Sequence, residues 1–254
     1  MSYLTLSITL VFVLIPLVLS KTLNLGLEKD TIIATVRSII QLLAVGYVLQ
    51  YVFDAEHFIF ITLMILLMIG AATQNARRKG ASIKGITWKL IVTFIFIEVL
   101  TQGILLGLNI TPPTAQYIIP ISGMVIGNSM VLGILFLNRF TSEIETHQDE
   151  TELILSLGGT PKQAIHNQLI ASIKASTIPT IESQKTIGLV QLPGMMSGQI
   201  IAGADPVQAV QFQLLILFLL LTTAVVTSIM LGFLSYPTLF NERMQFLKLK
   251  DGES

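Results

Sequence analysis

The chain has 254 residues, of which 52% are hydrophobic and only 12% charged, and its mean hydropathy is +0.76. A soluble domain of this length carries about 25% charged residues, so the composition points to a membrane. Fifteen basic residues balance fifteen acidic ones, which points away from nucleic acid, and the lack of cysteine excludes disulfides and thiolate metal sites.

A membrane-spanning helix needs about 20 largely apolar residues. In chain order the stretches that qualify are 4–20, 31–53, 58–73, 88–108, 117–137, 177–204 and 212–233. The first reads as a retained span rather than a signal peptide, because no basic residue precedes it and no small-x-small site follows. The second carries Arg37, Gln41 and Gln50, the fourth Glu98, and the fifth is rich in glycine and small polar residues. The sixth is the least apolar: it holds Pro179, Glu182, Lys185, Pro193 and several glycines.

Lysine and arginine set the orientation, since they collect on the cytoplasmic side. Lys21 and Lys29, the run Arg77-Arg78-Lys79 with Lys84 and Lys89, then Arg139, Lys162 and Lys174, and finally Arg243, Lys248 and Lys250 all fall on one side if there are seven spans. The opposite loops hold acids such as Asp54, Glu56 and Asp205. The expected architecture is therefore all-α: one polytopic bundle over residues 1–254, seven spans, N-terminus outside and C-terminus cytoplasmic.

Residues 141–176 are too polar to span. An acidic run from Glu143 to Glu152 leads into Leu153 and Leu157, with Ile144, Leu153 and Leu157 expected near one helical face. The run breaks at Gly158-Gly159-Thr160-Pro161, where glycine ends a helix, threonine caps the next and proline takes its first position. The expected unit is helix, tight turn, helix on the cytoplasmic face.

Charges within spans are expensive and face a partner or a cavity. Arg37, Glu98, Glu182 and Lys185 sum to zero. Arg37 with Gln41, and Glu98 with Gln102, form polar stripes four residues apart, and Glu182 with Lys185 can pair three apart. Arg37 has the depth to reach Glu98 or Glu182. Two readings stand for this set: a substrate path, or ion pairs that fix helix register. Gly123, Gly127 and Gly133 suit close helix packing, while Asn128 wants a partner or lines a path. Pro193 and Gly194 break span six, and irregular backbone at membrane depth needs protein or a water-filled cavity over it. Met195 and Met196 next to that break offer soft thioethers or simply fill gaps.

The segment Glu152-Leu-Ile-Leu-Ser-Leu-Gly158-Gly-Thr-Pro-Lys-Gln-Ala164 resembles the cytoplasmic coupling loop of ABC transporter permeases. The segments from Asn75 to Gly80, Gly123 to Met130 and Lys185 to Pro206 are similar to signature stretches of the Fet-type permease family, which includes bacterial iron-export permeases and plant aluminium-tolerance permeases. The resemblance covers essentially the whole chain. It implies an ATP-driven permease in which Glu152, Leu157, Gly158, Gly159, Thr160, Pro161 and Ala164 dock a separate ATPase subunit. That subunit would hold the ATP and magnesium, because Gly-x-x-x-x-Gly-Lys-Ser/Thr does not occur in this chain. It further implies export of iron or another metal. Seven spans are few for a full translocation path, so two copies of the chain are expected. The path candidates are Arg37, Gln41, Glu98, Gln102, Asn128, Glu182, Lys185, Pro193, Gly194, Met195 and Met196. The histidines, His57, His147 and His166, form no metal-ligand spacing, so the residues leave the metal ligands open. Competing readings are a permease for a small organic solute such as a nucleotide sugar, and a secondary transporter or channel with Glu98 and Glu182 as ion sites.

Overall fold

The structure is a computed structural model that describes residues 11–55 and 57–247. The described residues are helical throughout, with two isolated bridges and no strand. Two compact units divide the chain at His57 and Phe58.

The first unit is a helical hairpin. Helix α1 (Val11–Thr22) turns through Asn24 and Gly26, both with positive φ, into α2 (Glu28–Ala55). Ser20 ties the turn on both sides: its Oγ donates to Glu28 Oε1 (2.8 Å) and accepts from the Leu27 amide (3.1 Å). Residues 4–10 of the expected first span lie outside the described residues.

The second unit begins with α3 (Phe58–Ala76), which tightens into a 3₁₀ turn over Arg77–Gly80. Helix α4 (Ile86–Gly107) follows, then the long α5 (Ala115–Thr146). Two short helices, α6 (Gln148–Ser156) and α7 (Pro161–Ala164), lead into α8 (His166–Thr186). A seven-residue break precedes α9 (Gly194–Ile201), and α10 (Pro206–Ser235) runs into a second 3₁₀ turn, Tyr236–Leu239. Leu90, Phe94, Phe136, Leu137, Phe140 and Leu231, from α4, α5 and α10, form the centre of this unit's core and are essentially inaccessible. Phe136 stacks on Phe140 at 5.3 Å. Asp205 caps α10 through the Val207 and Gln208 amides, with Pro206 at the first position. Lys89 reaches from the first turn of α4 to the Thr238 hydroxyl (2.7 Å), fixing the segment after α10.

Five described helices are long and apolar enough to cross a membrane: α2, α3 with its 3₁₀ turn, α4, α5, and α10 with its 3₁₀ turn. The sixth expected span is broken, as Pro193 and Gly194 predict, but the break begins six residues earlier, at Ile187. Its residues are split between the end of α8, the break at 187–193 and α9. The physical reason lies in Gly188, at φ +86°, and in Pro193, which takes an extended conformation and starts a new helix. The fifth span also runs further than its apolar stretch, so Ile144 belongs to α5 and is buried, and does not share a face with the exposed Leu153 and Leu157.

Candidate functional site

The polar side chains that break the apolar pattern of α5, α8 and α10 converge on one pocket of about 400 Å³. Asn128 enters from α5, Thr180, Ser183 and Gln184 from α8, Gln191 from the break, and Gln213 from α10. Asn128 Nδ2 donates to the Leu220 carbonyl (3.3 Å) and the Thr223 hydroxyl (3.2 Å). Gln184 Nε2 donates to the Leu217 carbonyl (2.8 Å), and Gln191 Nε2 to Ser183 Oγ (3.0 Å). Gln213 is only 6% exposed, yet its Oε1 has no partner. A buried carbonyl oxygen without a donor costs about 1–3 kcal/mol, so the pocket holds an unmet acceptor. The rest of the lining is apolar, with Leu132, Leu135, Leu217 and Leu220 among it; its polar groups are amide and hydroxyl, with no charged side chain.

The break that floors this pocket is ordered by its own backbone. The Gly188 amide donates to the Gln191 carbonyl (2.9 Å), and the Leu189 and Val190 amides return to the Thr186 carbonyl. Pro193 lines the pocket and caps α9. Met195 packs against the apolar cluster of Ile97, Leu105, Ile121, Val125 and Ile216, the gap-filling reading of that residue. Met196 is half-buried and Gly194 exposed.

Glu98 does not line that pocket. It sits near the middle of α4, 5% exposed, and accepts a short hydrogen bond from the Ser122 hydroxyl of α5. Gln102, one turn along α4, donates to the same Ser122 oxygen at 2.9 Å. The expected Glu98–Gln102 stripe is therefore one hydrogen-bonded cluster, and Ser122 is its hidden third member. Glu182 and Lys185 pair as their spacing predicts, Lys185 Nζ donating to Glu182 Oε1 at 2.6 Å, and both side chains are exposed. In the first unit, Arg37 and Gln41 are exposed on α2 and line a shallow pocket of about 410 Å³ with Ile33 and Ile40. Of the small residues in α5, Gly133 makes the close approach, to Leu231 of α10, while Gly127 meets nothing.

The turn between α6 and α7 has the local structure its residues dictate. Gly158 takes φ +86°, its amide donates to the Leu155 carbonyl (3.0 Å), and the Gly159 amide donates to the Ile154 carbonyl (2.9 Å). This double bond pattern closes the C-terminus of α6. A Cβ on Gly159 would lie 2.8 Å from the Ile154 carbonyl oxygen and 2.6 Å from its Cγ2, so no side chain fits there. Thr160 and Gln163 form a reciprocal capping box on α7, with Pro161 in the first turn. Ala164 is buried beneath it. Leu153 and Leu157, one turn apart, are 59% and 79% exposed, and Glu152 beside them is held by Gln148 Nε2 (2.7 Å). Behind this turn, Glu143 binds Arg139 and faces His147 Nδ1 at 3.3 Å.

Sequence reasoning missed Gln184, Gln191, Gln213 and Ser122. Gln213 carried a usable signal, since it is the sole amide in the otherwise apolar stretch 212–233. Ser122 carried none, because one more small residue in α5 reads as packing.

A set of long apolar helices, with a buried carboxyl and a largely apolar pocket holding a few amides, defines a multi-pass membrane protein. The family described as Uncharacterised protein family (UPF0014) matches residues 3–240, and the chain belongs to that family. It is 56% identical to the UPF0014 membrane protein YjkA of Bacillus subtilis over 96% of this chain and 98% of that protein. It is 40% identical to the Probable iron export permease protein FetB of Escherichia coli, over 96% of this chain and 94% of the relative. Protein ALUMINUM SENSITIVE 3 of Arabidopsis thaliana is 34% identical over 93% of this chain and 86% of its own length. No solved structure matches the chain.

Proposed function

We propose that this chain is the membrane-spanning subunit of an ABC transporter that exports a metal ion, iron foremost, using ATP hydrolysed on a separate subunit. The observation that carries the reading is the α6–α7 turn. Two exposed leucines beside an acidic residue, on a turn closed by paired glycines and a capping box, offer a rigid apolar knob for a cleft in a partner. Nothing in the fold of this unit needs Leu153 or Leu157 at the surface. Likeness to a relative named as an iron export permease supports the cargo.

The topology that goes with this reading has seven crossings, N-terminus outside. In it the end of α8 from Thr177, the break and α9 together make the sixth crossing, with Thr180, Ser183 and Gln184 of α8 facing the pocket rather than lipid. The ATPase subunit binds on the basic side and carries the ATP and magnesium. Two copies of the chain with two ATPase subunits complete the path, and the exposed Glu182–Lys185 pair then faces the path or the second copy. Hydrolysis tilts the helices and switches access to the pocket.

A second reading is export of a small organic solute. It is favoured by the pocket itself, whose carboxamides and hydroxyls suit a polar uncharged group better than a bare metal ion. Stimulation of ATPase activity in the reconstituted complex, compared across metal ions and nucleotide sugars, separates the two. Co-purification with the ATPase encoded beside this chain tests the shared part. Glu152→Lys combined with Gly159→Pro is expected to insert normally and lose the ATPase. Normal association in that variant would remove the turn from the interface.

A further inference from the structure

Glu98 poses a problem of charge. Its neighbours Ile97 and, beside Ser122, Ile121 belong to an apolar cluster with Leu105, Val125 and Ile216. Helices α3 and α10, which pack against α4, contain no ionisable residue, and neither does α9. Helix α5 carries Tyr117, whose ring meets Phe212, and Arg139, Glu143 and Glu145, the three charged residues at least 17 residues beyond Ser122, which is about 26 Å along a helix. On α4 the other ionisable group is Lys89, nine residues away and bound to Thr238. The basic residues Arg77, Arg78 and Lys79 sit in the turn leading to the Lys89 end of α4. Within the second unit no described cation lies beside the Glu98 carboxyl, and an isolated buried carboxylate is costly.

The hydrogen bonds of the cluster show what is missing. Gln102 donates to Ser122, and Ser122 donates to Glu98 Oε1. Two buried oxygens then remain without partners, Glu98 Oε2 and Gln102 Oε1. Both are acceptors, and no donor of the cluster, the second N–H of Gln102 included, is placed on either. One proton on Oε2 removes the charge and supplies a donor.

We propose that Glu98 is a proton-binding site, with Ser122 and Gln102 as its positioning residues. In the conformation seen here the site is loaded: the carboxyl is a neutral acid that accepts from Ser122 at Oε1 and offers its O–H from Oε2. Loading forms one O–H bond with a proton from water. Parting of α4 from α5 takes the Ser122 hydroxyl away and admits water, and the proton leaves. The chain thus carries one proton per cycle of this helix pair.

The test uses the full chain in lipid nanodiscs at neutral pH, with glutamate labelled by carbon-13 and read by infrared spectroscopy. Wild type is expected to show a protonated-carboxyl carbonyl band that disappears in Glu98→Gln, with the unfolding temperature of that variant unchanged, because a carboxamide keeps one donor and one acceptor. Absence of the band from wild type, or its survival in Glu98→Gln, overturns the proposal. Should Glu98→Gln fail to fold, Ser122→Ala serves: losing the hydrogen bond to Oε1 is expected to move the band to higher frequency, and an unmoved band overturns the proposal equally.

Discussion

Ser122 of α5 donates its hydroxyl proton to Oε1 of Glu98 on α4, joining two neighbouring helices at the middle of the bundle. Both residues are buried, so neither end of the bond is replaced by water when it is lost. Ser122→Ala is therefore expected to lower stability by about 1–3 kcal/mol, the cost of an unsatisfied buried acceptor. Thermal unfolding in detergent checks it. A double-mutant cycle with Glu98→Leu, which removes the acceptor, is expected to return a coupling of about 0.5–3 kcal/mol, and additive effects would mean the two side chains do not interact.

Gln213 separates path from packing. Its Oε1 is buried in the pocket without a donor, so Gln213→Leu removes an unmet acceptor and keeps a comparable volume. Stability is expected to stay within about 1 kcal/mol of wild type or to rise. Under the proposed function transport is expected to fall, because an acceptor open to a cargo in the pocket is gone. Unchanged transport would assign Gln213 to structure alone.

How far the sequence reached is clear from particular residues. The long apolar helices were legible because about 20 apolar residues in a row have few other uses. The α6–α7 turn was legible to the residue, since Gly158, Thr160 and Pro161 each have a local preference that tertiary contacts had no reason to override. The Glu182–Lys185 pair was legible because three residues along a helix bring side chains together wherever the helix lies. The interior of the pocket was not. Gln184, Gln191 and Gln213 meet only because α8 ends at Thr186 and the chain doubles back at Gly188, and such convergence is set by packing between distant segments. The same limit hid Ser122, whose role depends on which face of α5 meets α4. The break in the sixth span was legible at Pro193 and Gly194, but its start near Gly188 was not, because glycine alone does not say where a helix stops.

Among the glycines of the second unit's helices, Gly232 of α10 sits closest to a neighbouring helix. A Cβ there would lie 2.6 Å from Leu169 Cδ1 and 3.3 Å from the Phe136 ring. Gly232→Ala is expected to cost about 1–3 kcal/mol by overpacking, although alanine is the better helix former. Leu169→Ala in the same chain opens space at that point and is expected to recover part of the loss, read as a rise in unfolding temperature over Gly232→Ala alone.

The Glu182–Lys185 pair joins two long side chains that are both exposed, three residues apart on one helix. Such a pair contributes about 0–1 kcal/mol to folding, so Lys185→Gln and Glu182→Gln are each expected to leave the unfolding temperature nearly unchanged. The pair lies at the end of α8, just before the break that floors the pocket, and the proposed function gives it a different use there. If it faces the path or a second copy, each neutralisation lowers transport while expression and ATPase association persist. The charge-swapped chain carrying Glu182→Lys and Lys185→Glu keeps the pair but reverses its order along the helix. Recovery of transport in that chain would mean that only the pairing matters. Continued loss would mean that each charge meets its own partner across the path, the outcome expected for a pair that guards an opening rather than one that props a helix.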